Sequence, residues 1–458
     1  MIKKILVANR GEIAVRIIRA CRELGIETTA VYSEADKDSL FVTLASQAVC
    51  IGPASPSLSY LNMNNIIAAA LNTGCEAIHP GFGFLAENPE FARKTAENGL
   101  IFIGPDPETI EMMGDKIRAK KLMRDSGVPV IAGSDGEVRT AQEAALTAQQ
   151  TGYPVIIKAS NGGGGKGMRQ ADSPEEIDSA FAAASAEAAA SFGSAVMYVE
   201  KFIENPKHIE VQILADNYGS TIHLGERECS MQRKNQKILE ESPSRSVSPQ
   251  QRQMLGEAAA AAAAAAAYKN AGTVEFVMDK DGLFYFIEMN TRIQVEHPVT
   301  EMVCGIDIVR EQIRIASGIP LSFTQDDISI NGHSIECRIN AEDPENGFMP
   351  CPGKIEYLHF PGGYGVRVDS ALYSGCEISP YYDSMIAKII VHAKTRNEAI
   401  QRMRRALEEL LVIGVKTNLG LLYMILYNPD FIRGTYDTGF IDANIKDILK
   451  PVEKDMML

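Results

Sequence analysis

The sequence predicts a multidomain protein of mixed α/β and α+β class, and three observations carry that prediction. Its first hundred residues alternate short apolar strands with amphipathic helices, a glycine-rich loop interrupts the middle, and alternating strand patterns recur at 208–214, 273–298 and 334–340. The 458 residues leave room for about two to four domains. Hydrophobic residues make up 45% and charged residues 23%, as in an ordinary soluble globular chain.

Residues 4–8 (KILVA) read as a strand, Asn9-Arg10-Gly11 as a turn, and 12–24 as a helix with apolar positions at Ile13, Ile17, Ala20 and Leu24. A second strand follows at 26–32, and the same rhythm continues through 77–80 and 100–103, which predicts a parallel sheet with helices on both faces. Gly11 lacks the further glycines of a dinucleotide fingerprint, so that reading is rejected. The turn from His79 to Phe84 (HPGFGF) closes a strand where open α/β sheets place ligands, although a plain tight turn fits equally well. Residues 115–126 read as a basic helix ahead of Gly127-Val128-Pro129. Lys116 falls in its first turn, where a cation opposes the helix dipole, and the charge pattern alone reads it as a surface lysine.

A strand at 153–158 leads into a loop with five glycines in six positions, Gly162, Gly163, Gly164, Gly165 and Gly167, with Lys166 among them and Met168 after. So little side chain lets many backbone amides turn toward anionic oxygens. The run lacks Walker A spacing. It meets a GxGxxG pattern, but the next helix signal is the capping box Ser173-Pro174-Glu175-Glu176, so a lid over nucleotide phosphates is expected. An alanine-rich helix (176–192) and a strand (196–202) ending in Glu200-Lys201 follow; the latter suits a hinge that meets a purine edge through its backbone. The strand 208–214 places His208, Glu210 and Gln212 on one face, and His208 fits a structural role equally well. Residues 227–241, with Gln232, Asn235 and Lys237 among the charges, read as a solvated face. Ten consecutive alanines at 258–267 predict a helix.

In 273–298 (TVEFVMDKDGLFYFIEMNTRIQVEHP) two β-prone runs flank Asp281-Gly282, the signature of a two-residue hairpin turn. With Lys280 opposite Leu283, counting back places Glu275 opposite Glu288. Opposed carboxylates are destabilising without a cation between them, and oxygen ligands suggest Mg²⁺ or Mn²⁺. Beyond Glu288, the residues Asn290, Arg292, Gln294 and Glu296 alternate with Met289, Thr291, Ile293 and Val295, as on a strand that continues with one polar face. The strand 334–340 sets Arg338 beside Glu336, and the strand-like pieces and basic helix (397–411) that follow predict a mixed sheet-plus-helix domain.

The net charge of −14 argues against nucleic acid as a partner. Eight cysteines without paired spacing read as reduced thiols, and no segment reads as a signal peptide or membrane span, so a cytoplasmic protein is expected.

Together the two-carboxylate hairpin, the glycine lid and the Glu-Lys hinge resemble the ATP-grasp ligases, and within them the biotin carboxylase family. The resemblance spans nearly the whole chain, through KILVANRGEIAVRIIRA (4–20), HPGFGFLAEN (79–88), KASNGGGGKGMR (158–169), HIEVQI (208–213), AGTVEFV (271–277) and FIEMNTRIQVEHPVTE (286–301). It implies a Rossmann-like N-terminal domain at 1–114, an ATP-grasp domain at 115–330 with a lid at about 131–203, and a C-terminal domain at 331–458. The implied activity is ATP-dependent carboxylation of biotin by bicarbonate through carboxyphosphate. ATP would be bound by Lys116, Lys158, the lid from Gly162 to Met168, Glu200, Lys201, Phe202, Ile203, His208, Gln232, Asn235, Glu275 and Glu288. The resemblance assigns Mg²⁺ or Mn²⁺ to Glu275, Glu288 and Asn290, bicarbonate to Lys237, Arg292, Gln294 and Val295, the base to Glu296, and biotin to Arg338 and Phe82. Position 235 is Asn where some relatives have His, and 82 is Phe where many have Tyr. No Met-Lys-Met biotinylation motif occurs, so the expected partners are a separate biotin carboxyl carrier protein and carboxyltransferase subunits, with homodimerisation a family expectation. Free-standing length favours the acetyl-CoA carboxylase system of fatty acid synthesis. Another ATP-grasp ligase would not need Arg292, Glu296 and Arg338 together, and a regulatory chain without turnover would lack a metal ligand or the base.

Overall fold

The computed structural model describes residues 1–160, 167–193 and 196–450. Near the N-terminus β1 (Lys4–Val7), β2 (Glu27–Ser33), β3 (Gln47–Gly52), β4 (Ala77–His79) and β5 (Ile101–Phe102) form a parallel sheet in the order β3-β2-β1-β4-β5. The strand order reverses between β1 and β4, where sheets of this kind open a crevice at their carboxyl edge. Asn9 closes that edge: its Nδ2 donates to the carbonyls of Pro80 and Phe82, each at 2.7 Å. The helix Gly11–Glu23 is buried on several sides because it also packs on the helix Ile308–Ala316 and the strand Val366–Ser370.

A small antiparallel sheet, β7-β6-β8, is built from β6 (Val155–Ala159), β7 (Met168–Ala171) and β8 (Met197–Lys201). Ala144, Ala148, Ala180, Ala184 and Ala188 let the helices Ala141–Thr151 and Ile177–Phe192 lie close against it. The lid residues Gly162, Gly163, Gly164, Gly165 and Lys166 lie outside the described residues.

The third sheet has eight antiparallel strands. It contains β9 (Lys207–Ala215), β10 (Thr221–Arg233), β11 (Gln236–Ser242), β12 (Asn270–Met278), β13 (Phe284–Asn290) and β14 (His333–Asn340), in the order β13-β12-β9-β10-β11-β14, and continues through Met385–Ala393 to Val366–Ser370. The helix Pro249–Ala265 packs on β9 and β10, burying Ala259, Ala262 and Ala263.

Three sequence expectations change here. Residues 227–241 are not a solvated face: they form the β10–β11 hairpin in the middle of the sheet, with Arg227, Glu228, Glu240 and Glu241 buried. Each of three of these charges meets an opposite charge distant in sequence, Arg227 with Glu210, Glu240 with Arg338, and Glu241 with Arg396. Glu275 does face Glu288, but by a different route from the two-residue turn. The Asp279 N–H donates to the Leu283 carbonyl at 2.9 Å, which leaves three residues in the turn, with Gly282 at φ +80°. The Asp279 Oδ1 selects this wider turn by accepting from the Asp281 and Leu283 N–H groups, both at 2.9 Å. It shifts the register by one residue, and a bulge between Phe286 and Glu288 shifts it back. The strand then ends at Asn290, so Arg292, Gln294 and Glu296 sit on a loop before the helix His297–Cys304. There the Thr291 N–H donates to Glu87 Oε1 at 3.0 Å instead of to a ladder partner.

Among the described residues no helix is long and apolar enough to cross a membrane, and all eight cysteines are free.

Glu241 fastens the C-terminal elements to this sheet. It accepts from Arg396 at 2.6 and 3.0 Å and from the Tyr436 hydroxyl at 2.7 Å, and lies 2.7 Å from His333 Nε2. Burial pushes its carboxyl up, but Arg396 and His333 outweigh that and hold it well below the usual range. Its unfolded value is about 4.3. A carboxyl with a depressed folded pKa contributes its full stabilisation above that value and loses it as pH falls through the folded one. Arg396→Ala is expected to cost about 3–5 kcal/mol at neutral pH and to flatten the acid limb of the stability curve, both measured by chemical denaturation across about pH 3 to 7.

Candidate functional site

A cavity of about 680 Å³ opens where the parallel sheet, the eight-stranded sheet and the C-terminal strands meet. The β1 turn contributes Asn9 to Ile13, the HPGFGF turn Phe82 to Phe84, and the large sheet His208, Lys237, Glu275, Glu288 and Arg338. The loop after β13 adds Arg292, Gln294, Val295 and Glu296.

Lys237 is at the centre. Its Nζ lies 2.5 Å from Glu210, 2.6 Å from Glu296 and 3.0 Å from Glu275. Burial would lower its pKa, but the three carboxylates raise it well above the ordinary lysine value, so it stays charged. Strand pairing explains the crowding, because register places Glu288, Glu275, Glu210 and Arg227 in one row across β13, β12, β9 and β10. Every carboxylate in the row has a cation. Arg227 pairs with Glu210, Lys237 with Glu275, and Lys116 Nζ lies 2.9 Å from Glu288, while His208 Nε2 lies 3.1 Å from Glu275. Lys116 is therefore not the surface lysine that its charge pattern suggested. The anionic partner missing from the local sequence comes from β13.

Glu275, Glu288 and Asn290 bring only oxygen donors to one edge of this row, and Asn290 Nδ2 donates to Glu275 at 2.9 Å. Such a set fits a hard divalent cation. His208, Glu210 and Glu275 also lie close enough together to meet an ion, but Glu210 is already held by Arg227 and Lys237.

Arg292 fans out along the loop. Its Nε donates to Glu87 at 2.8 Å, and its terminal nitrogens donate to Gln294 at 2.9 Å and to Asn290 at 3.3 Å. Gln294 in turn donates to Glu275 at 3.1 Å. Glu296 is 1% exposed and is gripped from both sides, by Lys237 and by Arg338 at 2.9 Å. Burial pushes its carboxyl up, but Lys237, Arg338 and Arg227 hold it well below the usual range, so it is ionised at neutral pH. Arg338 also donates to Glu240 at 2.6 Å, while burial pushes the Glu240 carboxyl up.

A second cluster sits on the small sheet. Glu200 is clasped by Lys158 at 2.8 Å and Lys120 at 2.9 Å. Burial works against its ionisation, but the two lysines bring its pKa down to about 2. Lys201 turns away to the Tyr153 carbonyl at 2.6 Å, and the Phe202 N–H donates to the Pro154 carbonyl at 3.0 Å. Ile203 follows half-buried, and Gly167 and Met168 lead into β7 beside β6. Gln232 Nε2 lies 2.9 Å from His208 Nδ1, and because the amide donates there, the ring proton sits on Nε2 toward Glu275. Asn235 lines the cavity at the tip of the β10–β11 hairpin with φ +62°.

Sequence reasoning assigned no role to Glu87, Lys120, Arg227, Glu240 or Lys388. Glu210 had a faint signal, its alternation with His208 and Gln212, whereas Glu87 reaches Arg292 across more than two hundred residues and had none.

Family models divide the chain among three descriptions. Biotin carboxylase, N-terminal domain, matches residues 1–110; Carbamoyl-phosphate synthase L chain, ATP binding domain, matches 115–324; and Biotin carboxylase C-terminal domain matches 336–443. The chain is 56% identical over 438 residues to a biotin carboxylase of Nostoc sp., covering 96% of this chain and 98% of that one. Among solved structures, it matches the biotin carboxylase domain dimer of the Hydrogenobacter thermophilus 2-oxoglutarate carboxylase, in complex with MgADP, ADP and bicarbonate. The TM-score is 0.95 at 51% identity, with 99% of this chain and 100% of the other covered. It also matches the crystal structure of the biotin carboxylase subunit of pyruvate carboxylase, with a TM-score of 0.86 at 52% identity and the same coverage of 99% and 100%. The chain belongs to the biotin carboxylase family.

Proposed function

We propose that the chain carboxylates biotin, presented on a separate carrier protein, with bicarbonate and ATP. The observation that carries this reading is the ionised Glu296 set between Lys237 and Arg338, with Arg292 beside it, in one cavity shared with the Glu275–Glu288 pair. Arg292, Lys237, Gln294 and the Val295 backbone present donors to bicarbonate, and Glu296 takes the bicarbonate proton. When Lys237 turns to the incoming anion, its hold on Glu296 weakens and the carboxylate becomes a better base. The deprotonated oxygen attacks the γ-phosphorus of ATP, the bond to ADP breaks, and carboxyphosphate forms. Glu275, Glu288 and Asn290 would hold a divalent ion, which would supply positive charge to the phosphate oxygens. Lys116 and Lys158 supply further positive charge on the nucleotide side, His208 offers a ring N–H there, and the segment from Glu200 to Ile203 presents backbone groups to adenine.

Carboxyphosphate breaks down to CO₂ and phosphate. The phosphate takes the ureido N–H proton of biotin, and the nitrogen attacks CO₂. Arg338 stabilises the negative charge that gathers on the ureido oxygen, with Phe82 packing nearby.

The final acceptor we propose is acetyl-CoA, making this the first half-reaction of fatty acid synthesis. The dimeric relative supports a homodimer. Reconstitution with the carrier and carboxyltransferase of the same cell tests the acceptor, with malonyl-CoA as the expected product and oxaloacetate as the contrary one.

ADP release that depends on bicarbonate and is stimulated by free biotin tests the chemistry. Glu296→Gln and Arg338→Ala are expected to keep ATP binding and to lose biotin-dependent turnover by about 10²-fold or more; wild-type rates in either variant would remove its assigned role. Chelation of divalent metal should abolish turnover. Glu288→Gln is expected to raise the Mg²⁺ needed for half-maximal rate by about tenfold or more, and an unchanged Mg²⁺ requirement would take Glu288 out of the ligand set.

A further inference from the structure

The loop that carries Arg292, Gln294 and Glu296 is fastened from behind by two fully buried side chains that the chemistry above does not use. His297, in the first turn of the helix His297–Cys304, lies with Nδ1 2.8 Å from the Gln294 carbonyl oxygen. A carbonyl only accepts, so Nδ1 carries the ring proton. Nε2 lies 3.8 Å from Glu301 Oε2 and has no hydrogen-bond partner among the described residues, which leaves the Gln294 contact as the one hydrogen bond of the ring. Lys388, from the strand Met385–Ala393, donates through Nζ to the Val295 carbonyl at 2.7 Å. The same nitrogen lies 3.1 Å from Glu12 on the helix Gly11–Glu23 and 4.0 Å from Asp369. Glu12 is buried and makes no hydrogen bond of its own among the described residues, so Lys388 is the cation that makes its burial tolerable.

Peptide geometry turns these two contacts into an orientation. In a trans peptide the C=O and the following N–H point in opposite directions. The Gln294 carbonyl shares its plane with the Val295 N–H, and the Val295 carbonyl shares its plane with the Glu296 N–H. Neither of these N–H groups meets a protein acceptor among the described residues, and both residues line the cavity.

We propose that His297 and Lys388 are positioning residues: by holding the Gln294 and Val295 carbonyls to the rear, they turn the Val295 and Glu296 N–H groups toward the place where bicarbonate meets Arg292 and Lys237. The inference rests on the bicarbonate reading given under Proposed function. It also gives Glu12 a part, because the N-terminal helix then steadies the anion loop through Lys388.

The test uses the full chain and the initial rate of bicarbonate-dependent ADP release, with KM for bicarbonate and KM for ATP measured separately and the melting temperature recorded alongside. His297→Leu removes the donor. His297→Asn places an amide nitrogen where Nδ1 stood. The expected result is a bicarbonate KM raised by about tenfold or more in His297→Leu, an ATP KM within about twofold of wild type, and near wild-type values in His297→Asn. The double variant Glu12→Gln with Lys388→Met removes both members of the closest buried pair, while Asp369 keeps Arg367 at 2.7 Å as its cation. It should raise the bicarbonate KM in the same selective way, and it provides a second route to the answer if His297→Leu folds poorly. Equal effects of Leu and Asn at 297, or bicarbonate and ATP KM values that move together in the double variant, overturn the inference. An unmutated chain whose ADP release ignores bicarbonate would instead overturn the functional reading itself.

Discussion

Lys237 holds Glu210, Glu275 and Glu296 within hydrogen-bond reach of one nitrogen, and the geometry of the site depends on that convergence. Two like charges about 4 Å apart cost about 4 kcal/mol at the effective dielectric of a protein, so three buried carboxylates around one point would drive each other apart or take up protons. The ammonium holds Glu275 and Glu296 in their ionised form. The carboxylates come from β9, β12 and the loop after β13, and Lys237 from β11, so the charge contacts and the strand ladder fix the same arrangement. An anion that recruits Lys237 must disturb this balance, which couples occupancy of the cavity to the basicity of Glu296.

Much of the frame could be read from the chain. The opening βαβ rhythm, the alanine helices and the pairing of Glu275 with Glu288 follow from local pattern, since period and turn chemistry act over a few residues. The hairpin also shows how a correct pairing can come from an incomplete picture. The count assumed a two-residue turn and a regular strand, whereas the molecule has a three-residue turn and a bulge whose shifts cancel. The side chain of Asp279 sets the turn, and only its contacts in space reveal that.

What stayed hidden was long-range pairing. The segment 227–241 looks solvent-exposed because a charge count cannot know that Arg227 will meet Glu210, or that Glu240 will meet Arg338 from nearly a hundred residues away. Lys116 looks like a surface lysine for the same reason, because its partner Glu288 lies far along the chain. Glu87 and Lys388, which tie the loop after β13 to other parts of the molecule, carry no local signature at all. The strand pattern beyond Asn290 was over-extended because the residues alternate as a strand would, while the Thr291 N–H is taken by Glu87 and the helix starts at His297.

The eight-stranded sheet does not stop where the family descriptions change. β11 pairs directly with β14, so the hydrogen-bond ladder runs unbroken from the β12–β13 hairpin to the strands near the C-terminus. Cutting the polypeptide in the connection before His333 would strip β14 of its neighbour and bare a row of peptide groups, the kind of open border that invites strand exchange between copies. The two halves are in this sense not interchangeable modules: Lys237 and Arg338 belong to one woven fabric, and grafting either part onto a foreign partner would have to reproduce that seam before any chemistry could return.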